Sequence, residues 1–543
     1  MISARKSARR RRHGVALIIS MIFVLVFSSL GVALFSMSGT NVQLASNQHK
    51  VNAALLAAQS GLECGKYIVA TASLDKTSHN FVTDAEAHKV WSDLYLHIQN
   101  NALDGQFVPP PARFADAVGS GDQIVTSPIN FGSTNVDFTI RFYRYDGDPR
   151  TIKLQATGTD GDIGRSIKMD MKITKDRSIL EYAVAGRGRM WLTGNTTIHG
   201  NVFSSWDRAD ISPFNMTSDS RVEGTVNTVL SLQQIQSHSY QLETLDANDQ
   251  PVDVNGDPLG DNFESRYYSA NDEIQAYHEG INYGQPHQDM PGMDISDYNT
   301  DCYNVGLTNV PTSAVKVVEY FPHAAGNYSL PRDASSTSFT RNVYENETFT
   351  NTSLPKNRHA LFKNCTFEDV LYIDCSKTST SKSYTNNVRF DNCTFNGTIV
   401  SNVPQPFNWK NNCLYFTGEA TFNNQSGIQE ATILAPHFNV NLGNTNPQKS
   451  DNNVLTGAIV GGIVDVRGNA QIYGTIISMF DATAYSSGYV TNIGATLDDG
   501  GTETTELGDV GVISITPEED TMLPSGISSR IIIQPMQNTY CEG

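Results

Sequence analysis

The chain begins with a basic leader and a long apolar run, RRRRHGVALIISMIFVLVFSSLGVALF, which occupies Arg9–Phe35. Four arginines and a histidine precede Gly14, and the 21 residues of Val15–Phe35 carry no charge. At about 1.5 Å of rise per residue, a helix of this length spans roughly 31 Å, enough to cross a bilayer. Because the basic residues flank its N-terminal side, we expect that side in the cytoplasm. The sequence thus predicts a membrane span at Val15–Phe35.

The helical pattern continues beyond the apolar run. From Ser36 to Ala72, apolar residues recur at three- and four-residue steps, as on one face of a helix. The chain has no proline before Pro109, so one helix of about 55 residues is expected over 15–72. An ordinary signal peptide has a shorter apolar core, with a cleavage site on its far side. The simplest alternative is a signal-anchor helix that holds an unrelated ectodomain.

The basic leader, the glycine, the apolar half-helix and the amphipathic half together resemble the type IV pilin family, which includes the pseudopilins of type II secretion. In that family a prepilin peptidase cuts on the cytoplasmic side, directly after the glycine. The resemblance implies a leader at 1–14, with Gly14 as its last residue and Val15 as the methylated mature N-terminus. The freed helix would then leave the bilayer and pack with like helices in a filament core.

One position departs from the pattern of major pilins. They carry glutamate at the fifth mature position, where this sequence has Ile19, and its first acidic residue is Glu63. The difference matches PilX-like minor pilins and K-type pseudopilins, whose apolar stretches lack that glutamate. The segment AALLAAQSGLE, at Ala53–Glu63, also resembles the corresponding region of PilX-like N-termini. The resemblance covers 1–70 and implies a minor subunit.

Residues 73–178 are predicted to form a small pilin-like head. AEAHKVWSDLYLHIQ, at Ala85–Gln99, favours a second helix. Three alternating runs follow, starting at Val136, Thr151 and Arg165, and they are joined by turns rich in glycine and aspartate. An antiparallel sheet of these strands would cover the apolar stripe on the second half of the long helix.

Short β-branched runs, separated by glycine and asparagine, are typical of 179–485. GNTTIHGNVFS at Gly194–Ser204 and GNAQIYGTIIS at Gly468–Ser478 share one phrase 274 positions apart. FKNCTF and FDNCTF, starting at Phe362 and Phe390, repeat at a spacing of 28. Repeats of this length predict a right-handed parallel β-helix, in which stacking buries the inner face of each coil. A β-sandwich with coincidental repeats is the alternative.

The repeats are interrupted at 231–345, a polar stretch that we expect to form an insertion or cap on the β-helix. Residues 486–543 are expected to add C-terminal strands. The predicted fold class is therefore α+β, with a long N-terminal helix, a small head with an antiparallel sheet, and a mainly β solenoid.

The overall charge argues against nucleic acid as the main partner. The formal net charge is −18, although the leader carries six basic residues and no acid. Binding to phosphates requires clustered lysine and arginine, which an acidic body does not provide.

The cysteines allow two interpretations. Cys64 lies in the long helix, and none of the cysteines has Cys-x-x-Cys spacing, so neither a zinc site nor a redox motif is indicated. In an oxidising compartment the remaining six could pair, whereas buried free thiols are equally compatible with the sequence. The disulfide candidates are Cys302, Cys365, Cys375, Cys393, Cys413 and Cys541.

One acidic stretch, DVNGDPLGDNFE, has the spacing of a calcium-binding loop. Its sixth position is Pro258, where an EF-hand loop needs glycine, so repeated turns are the alternative interpretation. The candidate metal ligands, at positions 1, 3, 5, 9 and 12 of the stretch, are Asp253, Asn255, Asp257, Asp261 and Glu264. We expect no other cofactor.

Many β-helices act on polysaccharides through paired carboxylates. The candidate residues here are Asp369, Asp374, Asp391 and Asp465, although aspartate and asparagine in such repeats more often cap turns. The sequence has no His-Glu-x-x-His motif and no glycine-rich phosphate loop. We therefore expect no enzymatic activity, and the alternative hypothesis is a membrane-anchored β-helix enzyme that acts on polysaccharide.

The expected function is that of a minor pilin or pseudopilin-like subunit of a bacterial type IV pilus or type II secretion filament, with a role in assembly and in surface presentation or adhesion. The expected partners are the prepilin peptidase, other pilins or pseudopilins and the inner membrane, with surface polysaccharide as a candidate ligand. The chain would sit in the inner membrane, with its N-terminus cytoplasmic and its body periplasmic or extracellular, before it enters a pilus or pseudopilus.

Overall fold

The structure is a computed structural model, and the statements below concern the residues that it describes. These are 12–101, 110–130, 135–193, 196–209, 213–216, 220–236, 244–245, 251–252, 277–288, 290–294, 314–318, 338–355, 360–374, 386–402, 412–423, 431–443, 453–467, 470–480, 490–494, 512–517 and 525–542.

The first 181 residues contain two helices and seven strands in the described part. In chain order they are α1 (Arg12–Ala70), β1 (Lys76–Thr77), α2 (Asp84–Asn100), β2 (Ala112–Ala115), β3 (Ser120–Val125), β4 (Ile129–Asn130), β5 (Val136–Tyr145), β6 (Thr151–Asp160) and β7 (Ile163–Lys175), followed by a 3₁₀ turn at Ser178–Glu181.

The rest of the described chain is almost entirely strand. Its elements are β8 (Tyr182–Gly186), β9 (Arg189–Thr193), β10 (Thr196–Ile198), β11 (Asn201–Ser204), β12 (Phe214–Met216), β13 (Ser220–Thr228), α3 (Leu232–Gln236), β14 (Thr244–Leu245), β15 (Pro251–Val252), β16 (Tyr277–Asn282), β17 (Gly292–Met293), β18 (Ala314–Val318), β19 (Ser338–Glu345), β20 (Thr348–Leu354), β21 (Ala360–Lys363), β22 (Thr366–Ile373), β23 (Asn386–Asp391), β24 (Thr394–Ser401), β25 (Asn412–Thr417), β26 (Thr421–Phe422), β27 (Ala431–Gly443), β28 (Asn453–Thr456), β29 (Ala458–Arg467), β30 (Ala470–Tyr473), β31 (Ile476–Ser478), β32 (Val490–Gly494), β33 (Ile513–Thr516) and β34 (Ile527–Glu542).

The single long helix expected over 15–72 is confirmed. Helix α1 has 59 residues and runs from Arg12 to Ala70 without interruption. At about 1.5 Å per residue it is roughly 88 Å long. The absence of proline before Pro109 removes the commonest cause of a kink.

The chain forms two compact units. The first, called the head unit here, contains Met1–Leu74, Asp84–Thr174 and Ile532–Gly543. The second, called the parallel unit, contains Asp75–Thr83 and Lys175–Ile531. Each unit is therefore assembled from segments that are far apart in the sequence.

The head unit contains an antiparallel sheet with the order β34-β7-β6-β5-β3-β2. The three alternating runs of the sequence are strands β5, β6 and β7, and β5 pairs with β6 from Val136↔Asp160 to Tyr143↔Lys153. The helix favoured at Ala85–Gln99 is α2, whose buried side includes Trp91 and Leu94. The predicted small antiparallel sheet is therefore present.

From β19 to β31 of the parallel unit, each strand pairs with the next strand but one in the sequence. Strand β21 pairs with β23, and β23 with β25, so that Phe362, Phe390 and Phe416 stand in register. Strand β22 pairs in the same way with β24, where Phe367 faces Phe395. The long helix is therefore followed by a β-rich body with a parallel sheet, and the closed right-handed β-helix stays a prediction.

Aromatic side chains in two stacked rows, called the aromatic ladders here, are buried in the parallel unit. Centroids of neighbouring rings within a row lie 4.5–5.4 Å apart, and rings of opposite rows meet edge to face, as Phe362 and Phe367 do at 5.1 Å. Both arrangements are favourable for aromatic pairs. One row is Tyr344, Phe362, Phe390 and Phe416, and the other is Phe349, Phe367, Phe395 and Phe422.

Asparagine and glycine form the corner between the two rows. Asn346, Asn364 and Asn392 have φ of 57°, 50° and 52°, and Gly418 takes the same place with φ of 67°. Asparagine tolerates this left-handed conformation better than most residues, and glycine adopts it freely. The repeated Asn-Cys-Thr phrase is therefore a turn signal that sets where each strand ends.

The first strands of the parallel unit pair with its last strands. Thr196 and Ala470 both face Ile513, and Ser204 and Ser478 both face Gly186. The two phrases found 274 positions apart therefore occupy the same columns of the sheet, with one strand between them. The repeated phrase thus marks equivalent positions in the sheet. The sequence does not indicate which strands lie next to each other.

The two segments that the sequence set apart contribute strands to the units. Within 231–345, Tyr277–Asn282 continues the parallel pairing on β13. Within 486–543, Val490–Gly494 and Ile513–Thr516 pair in the parallel unit, whereas the last part of β34 extends the sheet of the head unit.

Candidate assembly interface

The first half of α1 exposes apolar side chains along its whole circumference. Every residue from Gly14 to Lys50 is exposed, including Val32 at 71% and Phe35 at 84%. One window of this helix has a mean hydropathy of 2.7 and none of it is buried, so by length and composition the helix could cross a membrane. Folded proteins rarely expose apolar patches of this size unless lipid or another protein covers them.

Three hydroxyl side chains in this half form hydrogen bonds within the helix. The hydroxyls of Ser20, Ser29 and Thr40 donate to the carbonyls of Leu17, Val26 and Ser36 at 2.9–3.0 Å. A helix also satisfies its own backbone groups, which is the requirement for entering hydrocarbon. The first half of α1 therefore suits either lipid or a bundle of apolar helices.

The first charged side chain of α1 after Gly14 lies at the end of its exposed half. Between Gly14 and Gln48 the chain carries no charged side chain, and Lys50 is the first. Glu63 is the first acid, and it lies 2.7 Å from Lys66 on the exposed side of the helix. The apolar surface is therefore uninterrupted for most of its length.

The second half of α1 packs on the sheet of the head unit. Ala54 and Ala58 are fully buried, and a Cβ atom added to Gly158 of β6 would lie 2.1 Å from the Ala54 carbonyl oxygen. Added Cβ atoms at Gly61 and Gly65 would meet Phe138 at 2.8 Å and Leu154 at 2.7 Å. The small residues thus allow helix and strand to approach closely, which fixes the helix in its unit.

The sequence did not lead us to predict this close approach of α1 to the sheet. The spacing of Gly61 and Gly65, one helical turn apart in an amphipathic helix, was the signal that could have revealed it. Gly158 gave no comparable signal, because a lone glycine in a strand also marks bulges and turns.

The proposed processing residues lie at the start of α1. Gly14 has open space around the position of a Cβ atom, and Val15 is 58% exposed. Residues 1–11 of the leader lie outside the described residues. The structure therefore places the expected cleavage bond on an exposed part of the helix, and cleavage itself stays a prediction.

The calcium candidates Asp253, Asn255, Asp257, Asp261 and Glu264 lie outside the described residues. Among the residues that are described, no group of three or more histidine, cysteine, aspartate or glutamate side chains could hold a metal ion. The calcium loop stays a prediction.

The disulfide candidates divide into two groups. Cys302 and Cys375 lie outside the described residues. Cys365, Cys393 and Cys413 are buried and Cys541 is exposed, and none of the described cysteines forms a disulfide. Burial raises the pKa of the Cys64 thiol.

The carboxylates considered for polysaccharide chemistry lie at turns or on the sheet. Asp369 has φ of 63° and accepts a hydrogen bond from Asn351, and Asp374 accepts one from Asn402 at 3.0 Å. Asp465 is 1% exposed within β29, where it faces Asn492. The hydrogen bonds of Asp369 and Asp374 fit the capping role that short polar side chains have in turns.

One comparison agrees with the apolar character of α1. Residues 13–63 match the family model described as PilX N-terminal, so this segment is type IV pilin-like, and the match ends at residue 63. The crystal structure of the competence-associated pilin ComZ from Thermus thermophilus is 14% identical, with 91% of this chain and 98% of that chain covered and a TM-score of 0.25. A TM-score this low does not establish a shared fold. No curated protein matches the chain significantly.

Proposed function

We propose that this chain, which begins with a type IV pilin-like segment, is a minor subunit of a bacterial type IV pilus or type II secretion filament. The observation that carries the proposal is the first half of α1, which is exposed, apolar and free of charge from Gly14 to Gln48 within a segment that matches the PilX N-terminal family. Such a surface needs lipid before assembly and neighbouring helices afterwards.

The membrane-bound state would place Val15–Phe35 in the inner membrane. Basic residues precede Gly14, so the N-terminus would be cytoplasmic and the chain beyond Phe35 periplasmic or extracellular. A prepilin peptidase would cut after Gly14 and remove the positive charge that holds the helix at the inner leaflet. Other pilins or pseudopilins would then supply the apolar surroundings.

A minor role follows from residue 19 and from the size of the parallel unit. Ile19 stands where major pilins carry glutamate, and Lys175–Ile531 is a large addition to a pilin-like head. A subunit with so large a body packs poorly along a tight shaft, so we place it at or near a filament tip. Its function would be structural and non-enzymatic, in assembly and surface presentation or adhesion.

We interpret the parallel unit as a right-handed β-helix. Between β19 and β31, pairing of each strand with the next but one, at an offset of 28 residues between Phe362 and Phe390, is the pattern of successive coils. Right-handed crossovers between parallel strands are strongly favoured. Such a stack would present a long regular surface, for which surface polysaccharide is the candidate ligand.

The mature N-terminus tests the proposal. The full-length protein should be isolated from a host that has a prepilin peptidase, and its intact mass and N-terminal peptide measured. We expect a chain that begins at methylated Val15. Gly14→Val should retain the leader, because the peptidase requires glycine before the cut, whereas Gly31→Ala, at another exposed helical glycine, should be processed normally.

A mature protein that keeps its arginine-rich leader in such a host would contradict the proposal. So would a processed protein that never co-purifies with a fibre or secretion apparatus. The second result would separate a pilin-type leader from a function in filaments.

A further inference from the structure

Two cysteines occupy equivalent corners on neighbouring strands of the parallel unit. Lys363 faces Asp391 just before the two corners, and Thr366 faces Thr394 just after them. Cys365 and Cys393 are each 1% exposed. The backbone N–H of Thr394 donates to the carbonyl of Cys365 at 2.9 Å, which holds the corners together.

The thiol of Cys393 points toward the segment that contains Cys365. It donates to the carbonyl of Phe362, three residues before Cys365, at 3.5 Å. The Cys365 thiol makes the equivalent contact with the Tyr344 carbonyl, also at 3.5 Å.

The contact between the two side chains makes the two thiols unequal in the folded state. It lowers the pKa of the Cys365 thiol and raises the pKa of the Cys393 thiol.

Strand spacing places the two residues within bonding range. Neighbouring strands lie about 4.7–4.9 Å apart, and the Cα atoms of a disulfide are usually about 4.4–6.8 Å apart. Since both strand pairs that flank the corners are in register, the two residues need little backbone movement to be joined.

We propose that Cys365 and Cys393 form a disulfide that joins successive coils when the chain folds in an oxidising compartment, a location that rests on the proposed function. The bond would close a loop between positions 28 residues apart. The sequence alone left the pairing of six cysteines open, and the register of these two corners selects one pair.

The chemistry is thiol–disulfide exchange with a disulfide oxidant, either a small molecule or a protein. The thiolate of one cysteine of the pair attacks one sulfur of the oxidant, forms a mixed disulfide and releases one thiolate, which takes up a proton. The thiolate of the other cysteine then attacks the cysteine sulfur of this mixed disulfide and displaces the second thiol. Two cysteine thiols are oxidised and the oxidant is reduced to two thiols. Because both cysteines are buried in the folded state, the exchange precedes the final stacking of the coils.

Peptide mapping tests the pairing. Full-length protein, solubilised in detergent, should be unfolded in reductant, refolded with glutathione disulfide and alkylated after denaturation without reduction. We expect a peptide pair that links Cys365 to Cys393 in most molecules. Cys365→Ala should leave Cys393 open to alkylation, while the matched control Cys413→Ala, at another buried cysteine, should keep the link.

The wild-type chain gives a second readout that needs no variant. A bond across 28 residues should raise the unfolding temperature of the oxidised protein by roughly 5–10 °C over the reduced protein, from the usual effect of loop closure. Refolded protein in which both thiols remain open to alkylation overturns the proposal. A link that forms on refolding, with reduced thiols in protein taken directly from cells, would support the pairing and contradict the proposed periplasmic location.

Discussion

The head unit and the parallel unit bury their cores in different ways. In the head unit one helix lies on one antiparallel sheet, and small residues such as Ala54 and Gly158 bring the two backbones together. In the parallel unit similar side chains stack on one another, as Phe367 does on Phe349 and Phe395. The core of the head unit depends on a few small residues that leave room for close backbone contact. The core of the parallel unit depends on contacts between many large side chains.

We therefore expect the two units to respond differently to mutation. A helix–sheet contact without space for a methyl group fails at once when an atom is added, because backbone atoms cannot move aside. A ladder of rings loses its stacking locally, because neighbouring strands still pair above and below the altered one.

The largest effect should come from Gly158→Val. The new Cβ atom would lie 2.1 Å from the Ala54 carbonyl oxygen and 2.4 Å from the Ala58 nitrogen, so helix and strand must separate. We expect a loss of more than about 4 kcal/mol in the free energy of unfolding of the head unit. Hydrogen exchange measured by mass spectrometry should show lost protection in β5–β7.

Gly164→Ala is the matched control, because its nearest atoms would be 3.9 Å from the added Cβ atom, an ordinary contact. It should leave exchange unchanged. Normal protection of β5–β7 in the Gly158→Val protein would show that the close approach does not hold the helix on the sheet.

A smaller effect is expected for Phe367→Ala in the parallel unit. The ring is 3% exposed and stacks on Phe395 at 5.0 Å, so its removal leaves a cavity within the aromatic ladders. The free energy of unfolding should fall by about 3–5 kcal/mol, measured by chemical denaturation. Phe81→Ala, at a ring that is 49% exposed, should cost much less. Equal losses in the two variants would rule out the ladder as the source of stability.

A still smaller loss in the free energy of unfolding is expected in acid, and it should differ between the two units. Burial lowers the pKa of His437 in the parallel unit to about 4, whereas the unfolded chain has a value near 6.5. The unfolded state therefore binds more protons between these values, and the free energy of unfolding falls as the pH drops from about 6.5 to about 4. The loss should reach about 2–3 kcal/mol and level off below pH 4.

The head unit contains a carboxylate that does not titrate in this pH range. Its exposed Asp146 has a pKa lowered to about 2 by the hydrogen bond from Arg113, so this carboxylate stays ionised throughout that window. Denaturation curves at pH 7, 5.5 and 4 should show the difference between wild type and His437→Gln shrinking as the pH falls. A constant difference would mean that His437 titrates normally.

Local sequence patterns predicted two helices and three strands of the head unit. Hydrophobic periodicity without proline gave helix α1, and alternation gave β5, β6 and β7, because both signals depend only on neighbouring residues. The same pattern located the exposed half of α1, which is the candidate site. The closeness of Gly158 to Ala54 could not be predicted, since it depends on how residues about a hundred positions apart meet.

In the parallel unit, the sequence repeats predicted equivalent positions but not the order of the strands. The phrases at Gly194–Ser204 and Gly468–Ser478 indicated equivalent positions, and the register confirms that they share columns of one sheet. Their sequence distance did not show that only one strand lies between them. Strand order is a property of pairing between distant segments, which local composition does not encode.

Residue type and short-range spacing are enough to specify the long apolar helix, its lack of charge and the turns at asparagine. Only the folded chain shows which distant segments are neighbours: β34 beside β7, strands near residue 200 beside those near 513, and Cys393 beside Cys365. Neighbours cannot be read from the sequence because hydrogen bonds between strands do not depend on the identity of side chains. Register and partner therefore emerge only when whole faces are buried together.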